Sequence, residues 1–310
     1  MSFFRKVWRL LKEIASEWQF NEVSLLASSL AYFTVFSLAP LMVIVIMIVG
    51  TIFGETAAKE QLISQLSALV GEESAQLIAT AIANFRADAT GGRFRLLFNL
   101  GFLIFGATGV FTQIQDALDR IWEVKADPKR HVIHFLRKRL LSFAMVLAIA
   151  LLLLVSFIGN TILIALVNFL NELVPGFGYL WQIISFLVSF GTTTLVFVLM
   201  YTILPDAEIA WRDTVVGAAI TALLFLIGQF FFRLFLSQTN FGSAYGVAGS
   251  FVIIITWIFY AAHILFLGAE FTKVYAKQRG SPIVPSDYAV HISHEQQQLQ
   301  KSSQRNRHHR

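Results

Sequence analysis

Polar side chains set inside otherwise apolar stretches are the places where this chain could do chemistry. A polar group in hydrocarbon is costly, and it is kept either for function or to bond a neighbouring helix. His263 and Glu270 stand seven residues apart on one helical face, with Phe271, Thr272 and Lys273 directly after them. Each titrates when its surroundings move its pKa toward neutrality, so the two could relay protons. The alternative is that Glu270 pairs structurally with Arg212 or Lys273 and that His263 is a packed, hydrogen-bonded ring. Gln229 and Arg233 are four apart and share another face; Arg233 either reaches the outer headgroups or turns into the bundle. Pro40 follows Ser28, Ser29, Tyr32, Thr34 and Ser37. A proline there frees a carbonyl and kinks the helix, and nearby hydroxyls can satisfy what it frees. Tyr32, Pro40, Gln229, His263 and Glu270 are therefore the candidates for a transport path or its gate.

Two further groups sit at the margins of the apolar stretches. In the turn Leu204, Pro205, Asp206, then Trp211, Arg212, Asp213, the proline ends one helix, Asp213 can cap the next and Trp211 suits a membrane interface. This reads as a tight cytoplasmic turn. Residues 242–250 are small except for Tyr245, with Gly246 and Gly249 among them. Such a run allows helices to approach closely, or makes a non-helical stretch facing a cavity.

Six stretches without any Asp, Glu, Lys or Arg must position these groups: residues 23–54, 96–115, 140–171, 173–205, 214–232 and 234–269. Each supplies the roughly 20 apolar residues that cross a bilayer as a helix. A composition of 56% hydrophobic and 14% charged residues agrees. The first stretch is too long for a cleaved leader, so it is expected to be retained. Lys and Arg mark the cytoplasmic side. They precede the first stretch at Arg5, Lys6, Arg9 and Lys12, and crowd residues 120–139 between the second and third. Both termini are therefore expected inside. Residues 54–95 lie outside in this scheme although they hold Lys59, Arg86, Arg93 and Arg95.

The expected fold is an all-α, polytopic membrane bundle of six transmembrane helices. An N-terminal interfacial helix covers residues 1–22, since Phe4, Val7, Trp8, Leu11, Ile14 and Trp18 recur at helical spacing opposite the basic residues. The six-span domain covers 23–278. Within it, residues 55–90 form an outer amphipathic hairpin around Gly71, with Glu72 and Glu73 opening its second helix. That hairpin either covers the bundle or serves as a lid. Residues 279–310 are rich in Gln, Ser, His and Arg, which predicts a disordered basic tail.

The absence of Cys rules out a disulfide framework, a thiolate metal site and a cysteine nucleophile. His131 with His134 has no Asp or Glu cluster beside it, and there is no GxxxxGK[ST] loop and no GxSxG elbow. No catalytic centre, metal or cofactor is expected. The net charge of +5 follows from orientation, and the basic tail lacks interleaved aromatics, so no nucleic acid is expected. Membrane lipids are the expected partners, with anionic headgroups at the basic loop.

Residues 24–41 (SLLASSLAYFTVFSLAPL), 204–221 (LPDAEIAWRDTVVGAAIT) and 240–276 (NFGSAYGVAGSFVIIITWIFYAAHILFLGAEFTKVYA) resemble the YihY/BrkB family of bacterial inner-membrane proteins. The resemblance spans roughly residues 20–278. It implies six spans and an envelope setting. It marks Tyr32, Pro40, Asp206, Trp211, Arg212, Asp213, Tyr245, Gly246, Gly249 and Glu270 as characteristic positions without giving any a chemical role. His263 stands where the family more often carries Gln. Members bear the labels ribonuclease BN, virulence or serum-resistance factor, and transporter. The residues favour an inner-membrane transporter or lipid-handling protein, against a non-transporting envelope scaffold and, more remotely, a ribonuclease.

Overall fold

The computed structural model describes residues 2–87, 92–126, 139–148, 150–152, 178–238, 241–281, 283–287 and 289–292, and is mostly helical. In chain order the helices are α1 (Ser2–Phe20), α2 (Val23–Phe53), α3 (Glu55–Val70), α4 (Glu72–Ala87), α5 (Gly92–Ile121), α6 (Arg139–Leu152), α7 (Gly178–Ile203), α8 (Trp211–Gln238) and α9 (Phe241–Arg279). Four short strands sit between and after them: β1 (Val124–Ala126), β2 (Ala207–Glu208), β3 (Val284–Pro285) and β4 (Ala289–His291). Helices dominate because every backbone N–H and C=O in hydrocarbon must find its partner within the segment.

Among the described residues, four segments are long and apolar enough to cross a membrane: Val23–Phe53, Ile183–Ile203, Trp211–Gln238 and Val247–Arg279. The second charge-free stretch lies within α5. The third begins in α6, and its continuation from residue 153 lies outside the described residues. Large apolar side chains on the outward faces of α2, α7 and α8 are exposed, among them Phe36, Phe186, Phe230 and Phe231. Faces of this kind are solvated by lipid tails and not by water.

Helix α2 forms the spine. At 31 residues it is about 46 Å long, and it packs along α5 and α9 and against α3 and α4. Its α1 end is filled by Leu26, Phe111, Leu118, Trp122, Tyr201 and Phe266. Its far end is filled by Ile46, Val49, Leu62, Ile78, Ile82 and Trp257, which α3 and α4 help to cover. Gly71, at φ 86°, separates α3 from α4. Glycine adopts that backbone region freely, which makes it the natural break between two helices.

The helices approach closely wherever one of them has no side chain. A methyl group at Gly217 would run into Thr272, one at Gly228 into Tyr260, one at Gly268 into Thr221 and Tyr201, and one at Gly106 into Pro40. Pro40 is thus buried against α5, and α2 remains helical through it. The run at 242–250, for which a non-helical stretch was one alternative, is the first part of α9. The non-helical alternative is therefore not adopted, and within the run Gly249 and Ser250 are buried while Val247 and Ala248 are exposed.

At the α1 end the strands join three helix ends. β1 pairs antiparallel with β4 (Val124 with His291, Ala126 with Ala289), and β2 pairs with β3 (Ala207 with Pro285, Glu208 with Val284). Disorder was expected from residue 279 onward. Residues 283–287 and 289–292 depart from that, because β1 and β2 offer edges whose backbone groups β3 and β4 satisfy. Residues 293–310 lie outside the described residues.

Substituting Gly268→Ala places a methyl against Thr221 and Tyr201, and is expected to cost roughly 1–3 kcal/mol by overpacking. Gly101→Ala, where the added methyl meets nothing within 4 Å, should be neutral or slightly stabilising. Unfolding midpoints of the two variants, measured in one detergent, separate these outcomes.

Candidate functional site

Helices α1 and α9 run antiparallel and meet through polar side chains spaced one helical turn apart. From α1 come Glu13, Glu17 and Asn21, four residues apart and so on one face. From α9 come Glu270, Lys273 and Lys277. The Asn21 Nδ2 donates to Glu270 Oε1 at 2.7 Å. The Lys273 Nζ donates to Glu17 Oε2 at 2.7 Å and to Glu123 Oε1, just after α5, at 2.8 Å. Lys277 Nζ lies 3.1 Å from Glu13 Oε1, and Gln278 Nε2 donates to Glu13 Oε2 at 3.3 Å. Asn21 and Glu270 are fully buried. The α1–α2 turn that turns Asn21 inward is made by Glu22 at φ 54°, whose carboxylate lies 2.6 Å from Arg120 Nη2. Trp122 Nε1 donates to the Ala269 carbonyl at 3.3 Å, closing α5 onto the same turn of α9.

This arrangement corrects the expected partners of Glu270. It hydrogen-bonds Asn21, while Lys273 is shared by two other carboxylates and Arg212 is exposed on the first turn of α8. Asp213 lies inside that first turn, since α8 already begins at Trp211, and it pairs with Arg279 at 3.5 Å. An acid there meets the positive end of the helix dipole. Asp206 is buried: its N–H donates to Asp119 Oδ1 at 2.7 Å, and its carbonyl accepts from Ser286 N–H at 2.9 Å. Trp211 is exposed. Beside the lysines, a cavity of about 450 Å³ is lined by Trp122, Glu123, Lys273, Lys277, Ser281 and His291.

His263 is held by packing. Its Nδ1 donates to the Phe259 carbonyl at 2.8 Å, which in the neutral ring leaves Nε2 to accept from Ser24 Oγ at 3.4 Å. The ring lies 5.3 Å from Trp18 and edge-on to Phe259 at 4.2 Å. Tyr32 is exposed on the outward face of α2, against Phe33 and Phe36. Gly249 is buried; Tyr245 and Gly246 fall within α9, their side chains outside the description. His131 and His134 also lie outside the described residues.

Gln229 and Arg233 come together on a groove of about 900 Å³ between α3, α7 and α8. Gln65 of α3 and Ser185, Ser189, Thr192 and Thr193 of α7 join them in its lining. Apolar side chains line it as well, among them Phe186, Val188, Ile227, Phe230 and Phe231. Arg233 Nε donates to the Ala68 carbonyl at 2.7 Å. It thereby satisfies a carbonyl in the last turn of α3 that no intrahelical N–H can reach, where the sequence left headgroup contact as the other choice.

Sequence reasoning missed the hydroxyl face of α7, Asn21, and a polar stripe on α5. Thr108, Thr112, Gln115 and Asp119 recur at intervals of four, three and four, which is one face of a helix. Thr112 Oγ1 lies 3.4 Å from Ser142 Oγ of α6. Gln115 is fully buried, and neither of its polar atoms has a partner among the described residues. The spacing alone would have found this stripe. Among the described residues, no group of three or more His, Asp or Glu side chains is placed to hold a metal ion.

The sequence profile of the family described as virulence factor BrkB matches residues 14–288. The chain belongs to the BrkB family. Named relatives are membrane proteins of the class UPF0761. One from Pseudoalteromonas translucida is 27% identical, over 81% of this chain and 81% of its own length. Another, from Vibrio parahaemolyticus, is also 27% identical, over 83% and 79%. A third, from a Psychrobacter species, is 24% identical over 79% of this chain, which spans only 44% of that relative. No solved structure matches the chain. The BrkB profile begins at Ile14 in α1 and ends beyond β3, so it takes in Glu17, Asn21, Glu270 and Lys273 of the α1–α9 contacts but not Glu13.

Lys273 and its two carboxylates are largely buried, with 12% of the lysine side chain exposed. Lys273→Ala leaves Glu17 and Glu123 without their ammonium and should cost about 3 kcal/mol. Arg120→Ala, which breaks the more exposed pair with Glu22, should cost under about 1 kcal/mol. Denaturant titration of both variants tests the ranking.

Proposed function

We propose that this BrkB-family protein is an integral inner-membrane protein of the cell envelope that handles lipid, with an amphipathic substrate entering the groove between α3, α7 and α8. The observation that carries the reading is the mixed lining of that groove. Hydroxyls, Gln229 and the Arg233 guanidinium line it together with exposed phenylalanines. A phospholipid joins the same two kinds of group. Its phosphate suits a guanidinium, which gives charge-assisted hydrogen bonds in a fixed fork, and its acyl chains suit the phenylalanines. Arg233 uses Nε on Ala68, which leaves its two terminal nitrogens for an anion.

In this proposal six helices span the membrane: α2, α5, the segment that begins with α6, then α7, α8 and α9. Both termini lie in the cytoplasm, and α3 with α4 forms the outer hairpin. Support comes from the strand pairs, which gather the ends of α5, α7 and α9 on the side of basic α1. The basic residues 120–139 then face anionic headgroups, and no catalytic chemistry is assigned. The second reading, a scaffold without transport, is favoured by one observation: Glu270 and His263 are tied into packing contacts and do not open onto a path.

Vesicle reconstitution decides between them. Labelled phospholipid is expected to cross the bilayer in protein-containing vesicles, and Arg233→Ala should slow it about tenfold, the loss of one charge-assisted contact. Exposed Lys125→Ala should leave the rate unchanged. No movement by folded wild-type protein would favour the scaffold.

A further inference from the structure

Glu270 and Asn21 present an unbalanced pair. They are fully buried, and one hydrogen bond joins them, from Asn21 Nδ2 to Glu270 Oε1. The two remaining oxygens, Glu270 Oε2 and Asn21 Oδ1, have no donor among the described residues. Both are acceptors, and the single bond between the side chains keeps them in one neighbourhood. Buried acceptors without donors are costly, and a buried carboxylate whose charge is not offset is among the costliest groups a protein can hold.

The surrounding charges do not remedy this. Lys273 lies one turn away but directs two of its three N–H donors to Glu17 and Glu123. Neither of these bonds reaches Glu270 Oε2. The next pairs outward join Glu13 with Lys277 and Glu22 with Arg120. His263, on the preceding turns of α9, hydrogen-bonds Phe259 and Ser24.

We propose that Glu270 Oε2 and Asn21 Oδ1 bind a small monovalent cation between them, either a proton or an alkali metal ion. A proton on Oε2 would donate to Oδ1, completing the two-bond ring that a carboxylic acid makes with a carboxamide. An alkali ion would be coordinated by both oxygens. A divalent ion does not suit the site: Ca²⁺ takes six to eight oxygens, typically with several carboxylates, and one acid and one amide cannot offset its charge. The site joins α9 to the α1–α2 turn and is independent of the groove, so the lipid assay does not bear on it.

The test uses the purified full-length chain in detergent at fixed ionic strength. Its unfolding midpoint is measured in NaCl, LiCl and KCl against choline chloride, beside an infrared spectrum in the carboxylic-acid carbonyl region. Glu270→Gln is the matched variant, since its amide can donate to Asn21 Oδ1 and needs no cation. If an alkali ion is held, one of the three salts raises the wild-type midpoint by roughly 3 °C at ten times the dissociation constant, and Glu270→Gln removes the preference. If the cation is a proton, the salts act alike, and wild type shows a protonated-acid band that the variant lacks. Should Glu270→Gln fail to fold, Asn21→Ala takes its place and must weaken the salt preference or shift the acid band. Equal midpoints in all salts together with no acid band would overturn the proposal.

Discussion

One ammonium group fixes the layout of the α1 end. Lys273 Nζ meets Glu17 of α1 and Glu123 at the end of α5, so a single side chain on α9 clamps three segments far apart in sequence. Largely out of water, such a contact is strong only when complete, because any one of the three charges left alone would be stranded. The neighbouring contacts follow from it. With α1 held against α9, Asn21 reaches Glu270 and Glu13 reaches Lys277. With α5 held there too, Trp122 caps the Ala269 carbonyl, and β1 lies where β4 can pair with it.

Away from this clamp, contact between helices depends on missing side chains more than on apolar ones. Lipid tails are as apolar as leucine, so burying leucine between membrane helices gains little, while close approach gains dispersion and interhelical hydrogen bonds. Gly217, Gly228 and Gly268 supply that approach where α8 and α7 meet α9. Tyr201 uses it: beside Gly268, its hydroxyl donates to the Leu265 carbonyl at 2.6 Å and lies 3.2 Å from Thr221 Oγ1. Three helices are joined by one buried phenol.

Much of the architecture was legible in the sequence because hydrocarbon imposes a simple rule. Stretches free of charge become helices, Pro205 ends one of them, and Gly71 breaks another pair. Membership in the BrkB family was readable from the blocks around Pro40, Asp206 and Glu270. The site was legible only in part. Gln229 and Arg233 could be placed on one face by their spacing, but the α3 carbonyl that Arg233 finds is 165 residues away. Glu270 was conspicuous, yet its partner Asn21 lies 249 residues earlier, outside every apolar stretch. The strands of two or three residues carry no periodicity, and their pairing depends on where three helices end. The hydroxyls of α7 carry no signal in the sequence, because single Ser and Thr residues in a span can bond their own preceding turn; the groove is what gathers them.

These two kinds of contact divide α7 into a fixed end and a free length. At its α1 end Tyr201 is tied to α8 and α9, Leu204 is buried, and β2 is paired with the chain after α9. From Ile183 to Leu195 the same helix shows large apolar side chains outward and hydroxyls toward α8, and only 11% of its most apolar window is buried, against 39% in α9. Few buried contacts mean low local stability, and the low-stability parts of a fold are those that can admit a ligand without disrupting the rest. The groove therefore lies against the helix least bound to the bundle, while the polar clamp secures that helix's root. A lipid seated between Arg233 and the phenylalanines would meet a wall that yields along its length and holds at its base.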